Sequence, residues 1–307
     1  MMFPKIQVQK KIHVGGLSVF PLVTKKQLMT KVKSGMTMIA KGKVCVEEVD
    51  ESGHVPTLFV RNSGNYHVLF LEGDQLVGAK QNRICNSSLL IAPQSHARIP
   101  VSCVERGRWH HNSKSFSPSP NAATPSMRSV LKAAKLQPPV GRVEDGHQVP
   151  QQNVHQADQG KVWAEVDRME TVHCSASQTN SMDEVFAHKR QQLTEYRKAM
   201  SYVPGAMGWV IAIGGSIRTV DLFGKRSLCK KAWTRILRGS ALEAMASSGK
   251  CNVDPEAVGN MMQELQNLSW KSVNAVSAGE EYVAVDKKRI GSSLMLDRQL
   301  VHLSVVV

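Results

Sequence analysis

Short β-branched or aromatic runs, separated by compact turn sequences, fill the first hundred residues. No other feature of the chain restricts its fold so tightly. Residues 43–49, 57–61 and 66–71 each carry such a run, and Asp50-Glu51-Ser52-Gly53 and Asn62-Ser63-Gly64-Asn65 punctuate them with turn formers. Residues 88–92 and 98–104 continue the series. Several short strands at this spacing predict an antiparallel sandwich or partly closed barrel. Pro100 lacks an amide donor, so its strand is expected at an edge or with a bulge.

The remainder has a different texture. Residues 111–160 contain Ser117-Pro118-Ser119-Pro120, Gln137-Pro138-Pro139 and a polar run through Gln151-Gln152-Asn153, the composition of a flexible insert or linker. One short helix is predicted inside it, over about 126–135, with Met127, Val130, Leu131 and Ala134 on one face. From 161 to 307 helices and strands alternate. Val162, Trp163, Val166 and Met169 fit a helix stripe, and Ser181-Met182-Asp183-Glu184 has the pattern of a capping box. Gly214-Gly215 lies between two apolar runs, which favours a two-residue hairpin turn over a phosphate loop, because no helix start follows it. Asp254-Pro255 opens another helix, and the chain closes as a strand meander. The expected fold is α+β: an antiparallel β-rich N-terminal half, 1–110, packed with an α+β half, 161–307, the two possibly forming one integrated domain.

Charge is the strongest compositional bias. A net charge of +14 favours phosphate-bearing partners, such as nucleotides or nucleic acid. The six cysteines are scattered without a C-x-x-C pair, so neither a structural zinc nor any other metal is expected, and no cofactor is implied. No apolar run approaches the ~20 residues needed to span a bilayer, and no signal peptide is recognisable, so a reducing cytoplasmic setting is expected. Neither H-E-x-x-H, G-x-S-x-G nor a P-loop lysine motif occurs, which lowers the case for several enzyme classes and names no reaction.

Two compact polar knots are the candidate site. Gly78-Ala79-Lys80-Gln81-Asn82-Arg83 brings a planar cation beside two amides. Arg83 either grips a phosphate or carboxylate, or pairs internally with Glu72 or Asp74. Further on, Glu105, Arg108 and Trp109 offer a hydroxyl acceptor, a cation and a stacking ring, a combination suited to phosphate plus base. The alternative is a tryptophan filling the core, with Glu105 neutralising Arg83 or Arg108. Cys103 alternates with Ile99 and Val101 and is expected to be a buried thiol. On the helix after Phe223, Lys231, Arg235 and Arg238 share a stripe that either tracks a nucleic-acid backbone or is simply solvated.

The same residues carry a resemblance. Leu71-Glu72-Gly73-Asp74 leads into Gly78-x-Lys80-Gln81-Asn82-Arg83. Ile99-Pro100-Val101-Ser102-Cys103-Val104-Glu105-x-Gly107-Arg108-Trp109 follows, and later Asp221-Leu222-Phe223, Gly279-Glu280-Glu281-Tyr282 and Leu300-Val301-His302-Leu303-Ser304. Together they are similar to the ADP-ribosylglycohydrolase- and rhodanese-phosphatase-associated protein domain family. Ala79 stands where that family usually has a second glycine. The resemblance implies a context of ADP-ribose and NAD-derived metabolism and supplies no catalytic residues. The resulting expectation is a protein that recognises, with or without processing, an ADP-ribose-like or other phosphorylated nucleotide through Gln81, Asn82, Arg83, Glu105, Arg108 and Trp109. A basic nucleic-acid-binding module and a non-enzymatic interaction protein are the alternatives.

Overall fold

Leu17–Val23 shows how the largest sheet is made. Both of its faces are buried: Leu17 and Val19 join one apolar cluster, and Phe20 and Leu22 another. A strand covered on both sides needs apolar residues at successive positions and not merely at alternate ones. It pairs antiparallel with Gly208–Ile213, Leu17 opposite Ile213 and Leu22 opposite Gly208. The structure is a computed structural model describing residues 4–50, 56–136, 143–144, 147–148, 154–247, 249 and 252–307. The polar runs at 137–139 and 151–153, the turn expected over 50–53 beyond Asp50, and Cys251 lie outside the described residues.

Among the described residues the large sheet has nine antiparallel strands. Gln7–Val8 and Ile12–Val14 both pair along one edge of Leu17–Val23, and across its other edge follow Gly208–Ile213, Ser216–Phe223, Gln299–Val306, Ile290–Leu296, Glu280–Val285 and Lys271–Val273. The first strands of the chain therefore belong to the sheet of its last hundred residues, and the halves share one sheet. Gly214 and Gly215 close a hairpin with φ of 58° and 87°, left-handed positions that glycine adopts without steric cost.

A six-stranded sheet runs Phe116–Ala122, Asp74–Gly78, Arg83–Cys85, Ser95–Cys103, Thr57–Asn62, Val44–Glu48. A small three-stranded sheet, Leu89–Ile91, His67–Phe70, Val32–Ser34, packs with it around Phe70, Leu76 and Val101. The N-terminal half is thus β-rich and antiparallel apart from the parallel pairing of Val32–Ser34 with His67–Phe70, and the whole is a mixed α+β fold. Pro100 departs from expectation: its strand is interior. It falls one residue beyond the last pair with Arg83–Cys85, Val101 opposite Cys85, so no ladder donor is missing there. Phe116–Ala122, including Ser117 to Pro120, is a strand paired with Asp74–Gly78, and Pro125–Lys132 is a helix capped by the Thr124 hydroxyl.

The helix Arg226–Met245 lies between the two large sheets. Leu228, Cys229, Ala232, Trp233, Ile236 and Leu237 are buried, as its sequence stripe requires. Gln159–His173, Met182–His188 and Arg190–Ala199 extend the same core, and Pro255–Gln266 covers the other face of the nine-stranded sheet. Asp254 caps this last helix by accepting from the Glu256 amide. Ser181 does occupy an N-cap position, but its side chain makes no capping bond; its backbone forms an isolated bridge with Glu105. No helix among the described residues is long and apolar enough to cross a membrane.

Candidate functional site

The turn after Asp74–Gly78 and the segment after Ser95–Cys103 meet because both strands border Arg83–Cys85 or lie one strand away. Ala79 takes a left-handed φ of 42° and is fully buried, folding Lys80 to Asn82 back over the sheet. The six site residues arrive together, yet in two adjoining networks with different properties.

The first network is internal scaffolding. The Glu105 carboxylate accepts from the Asn82 amide at 3.0 Å, from Thr179 Oγ1 at 3.1 Å, and from Arg108 Nε and Nη2 at 3.0 and 2.7 Å. Arg108 also donates to the carbonyls of Ala79 and His110, at 2.7 and 3.1 Å, and to Asn82 Oδ1 at 3.3 Å. Asn82 Oδ1 in turn accepts from the Gly78 amide. Burial alone would raise the Glu105 carboxyl, but Arg108, the Asn82 amide and Thr179 outweigh it and hold it below the ordinary range. With every donor of Arg108 engaged, this guanidinium fastens the loop and has none left for a phosphate.

The second network is incomplete. Arg83 is fully buried and donates from Nη1 to Gln81 Oε1 at 2.9 Å and to Cys103 Sγ at 2.7 Å. Its Nη2 stands 3.6 Å from Glu48 Oε1, an ion-pair approach too long for a hydrogen bond. Nε and Nη2 of Arg83 and both oxygens of Glu48 lack hydrogen-bond partners among the described residues. Glu48, and neither Glu72 nor Asp74, is the facing carboxylate; it ends a strand three positions away in the sheet order, a neighbour that local sequence does not reveal. The Trp109 ring, 47% exposed, lies against Arg83 and Lys80, its centroid 5.8 Å from the Arg83 guanidinium carbon and 5.5 Å from Lys80 Nζ. Cys103 is buried as expected; burial pushes its thiol up to about 11 against the opposing pull of Arg83, which favours the neutral thiol at neutral pH.

A third feature has no counterpart in the sequence expectations. Arg128, Lys132 and Lys135, at helical spacing on Pro125–Lys132 and the 3₁₀ turn Ala133–Leu136, are all buried. Arg128 grips Asp221 with two bonds of 2.7 and 2.9 Å and approaches Glu72 at 3.5 Å. Lys132 reaches Glu72 at 2.7 Å and Ser292 Oγ at 2.8 Å, and Lys135 reaches Glu281 at 2.8 Å. Asp221 also holds Trp209 Nε1 at 3.1 Å and His302 Nε2 at 3.2 Å, while His302 Nδ1 meets Ser88 Oγ at 3.0 Å. With the Asp221 carboxylate accepting, Nε2 carries the hydrogen and Nδ1 accepts from the Ser88 hydroxyl. Burial lowers Lys132 to about 8 despite Glu72, and Arg128 with His302 overcomes burial to hold Asp221 far below the usual range. The i, i+4, i+7 spacing of the three cations was legible; that the helix face carrying them turns inward was not.

Lys231, Arg235 and Arg238 do not form a common solvated stripe. Arg235 is buried and bound to Asp74 at 2.8–2.9 Å, and Arg238 donates to Asn121 at 2.7 Å. The helix is covered on that side by Phe116–Ala122 and its neighbours, so only Lys231 remains exposed.

The fold and these networks define a mixed α+β domain whose two sheets are joined by a buried ionic core. The chain belongs to the ARG and Rhodanese-Phosphatase-superfamily-associated Protein domain family, whose profile matches residues 5–306. That name links the family to the ADP-ribosylglycohydrolase and rhodanese-phosphatase superfamilies. Searches of curated proteins and of solved structures gave no match.

Proposed function

We propose that the chain recognises a phosphorylated nucleotide of the ADP-ribose kind at the Glu48–Arg83–Trp109 site. One observation carries this reading: among the described residues, buried groups of the facing Arg83 and Glu48 side chains have no hydrogen-bond partner, and Arg83 lies against the exposed Trp109 indole. Buried polar groups are almost always paired, so an unmatched set beside an aromatic face suits a ligand that brings donors and acceptors with a ring. Trp109 stacks on the ring, Glu48 accepts from ribose hydroxyls, Arg83 and Gln81 complete the polar contacts, and Lys80 faces the phosphates. Asn82, Glu105 and Arg108 hold the loop in shape. The family's link to ADP-ribosylglycohydrolases supports the ligand class. The reading is one of recognition and includes no chemical step.

Thermal denaturation with ADP-ribose, ADP, AMP and NAD tests it. At 100 times its dissociation constant a bound nucleotide adds about 2.7 kcal/mol of stability. Trp109→Ala and Glu48→Gln should abolish that gain while each variant still unfolds cooperatively. A panel without stabilisation, or an undiminished gain in Trp109→Ala, refutes the assignment.

A further inference from the structure

A cleft of about 530 Å³ opens where the small three-stranded sheet meets the start of the long helix, away from Trp109 and Arg83. Lys33, Lys41, Lys43 and Lys231 line it together with Tyr66 and Ser227, and its lining contains no carboxylate. None of the four lysines forms an ion pair among the described residues. Four like charges converging on one concavity repel one another, and such a concavity concentrates counter-ions of the opposite sign.

The helix start makes the imbalance larger. Arg226–Met245 begins with Lys225 as its N-cap, without a side-chain capping bond and without an acidic residue in the first turn. A helix N-terminus favours anions and is weakened by cations, so Lys225 and Arg226 oppose the local preference. Burial and the neighbouring Lys33 both press the Lys225 ammonium toward its neutral form. Local rules broken together at one concave place are expected where function requires them. The volume is that of a small-molecule site, larger than orthophosphate needs, and Tyr66 supplies an aromatic wall.

We infer that the Lys33–Lys41–Lys43–Lys231 cleft is a second binding site, taking a small molecule that carries two or more phosphate groups. The lysines match its charge from several sides, and the first-turn amides of Arg226–Met245 donate to its oxygens. This site is independent of Trp109.

Calorimetric titration of the full chain with inorganic pyrophosphate, tripolyphosphate and a short single-stranded oligonucleotide tests the assignment, with the exposed-lysine variant Lys43→Gln/Lys231→Gln and with Trp109→Ala. Pyrophosphate and tripolyphosphate should bind, with affinity falling steeply as salt rises. The lysine variant should raise both dissociation constants at least tenfold, and Trp109→Ala should leave them unchanged. Absence of polyphosphate binding, or dissociation constants unaltered in the lysine variant, overturns the inference. So does an oligonucleotide that binds these lysines more tightly than tripolyphosphate, which would assign the cleft to nucleic acid.

Discussion

Asp221 shows how much one residue can organise here. Its two oxygens hold Arg128, His302 and the Trp209 indole in a place with no solvent exposure. Removing one partner of such a pair leaves a charge buried without compensation. Asp221→Asn should therefore cost about 3–5 kcal/mol in urea denaturation. Adding Arg128→Met should recover part of the loss, since the uncompensated cation goes too. The sign of the pH effect follows from the lowered carboxyl. Its contribution is complete above the unfolded value near 3.8 and is lost as pH falls toward its folded one. The stability of Asp221→Asn should accordingly fall less steeply than that of the native chain below pH 4. Undiminished acid sensitivity in the variant would remove Asp221 from this role. Residue types alone did not announce the network: Arg128 is one basic residue on an amphipathic helix, and Asp221 is one polar residue between Val220 and Leu222 near the end of its strand.

Among elements, the long helix is the one whose position everything else depends on. Gly239 faces the end of Phe116–Ala122 so closely that an added Cβ would lie 2.4 Å from the Ala123 carbonyl oxygen and 2.6 Å from that of Ala122. These are backbone atoms, unable to swing aside as a side chain would. Gly239→Ala should destabilise the fold by about 1–3 kcal/mol, although alanine is the better helix former. A neutral or stabilising result in denaturant melts would show that strand and helix can separate without cost. The helix, its buried stripe, the Gly214-Gly215 hairpin and the Asp254 cap were all legible, because each depends on residues within a few positions. The strand Phe116–Ala122 was not: its two prolines and three polar residues resemble a linker, and only pairing with Asp74–Gly78 makes it a strand.

At the scale of the whole molecule, buried neutral histidines set the response to acid. Burial lowers His173 to about 4, with Lys189 and Arg168 adding to the effect, and it lowers His155 and His302 as well. Each is less basic folded than unfolded, so as pH falls below about 6.5 the unfolded chain takes up protons that the native one refuses. Stability should drop from pH 6.5 toward 4, before the carboxylates contribute. Urea midpoints at pH 7.0 and 5.0 measure the drop, and His173→Gln should reduce it. An equal decline in the variant would assign the effect to other groups. The same scale explains why the candidate site was half legible. Gln81, Arg83 and Trp109 stand out in the sequence by residue type and local clustering, and the fold brings their side chains into contact. Whether Arg83 or Arg108 had donors to spare depended on which groups the sheet order placed against them, and Glu48 enters only through that order.

Sequence by itself determined the periodicities: two-residue alternation in the strands, the apolar stripes of the helices, the glycine turn and the helix start at Asp254-Pro255. These are short-range properties, fixed by backbone sterics and by which face of an element must leave water. Tertiary structure decided the charges. Whether Arg128 and Lys132 are solvated or buried, whether Arg108 has donors to spare, and whether Lys231 shares one cleft with Lys33, Lys41 and Lys43 all depend on contacts between segments far apart in the chain. Electrostatic energies are set by distance and surrounding dielectric, and neither is defined until the sheets have closed around the long helix.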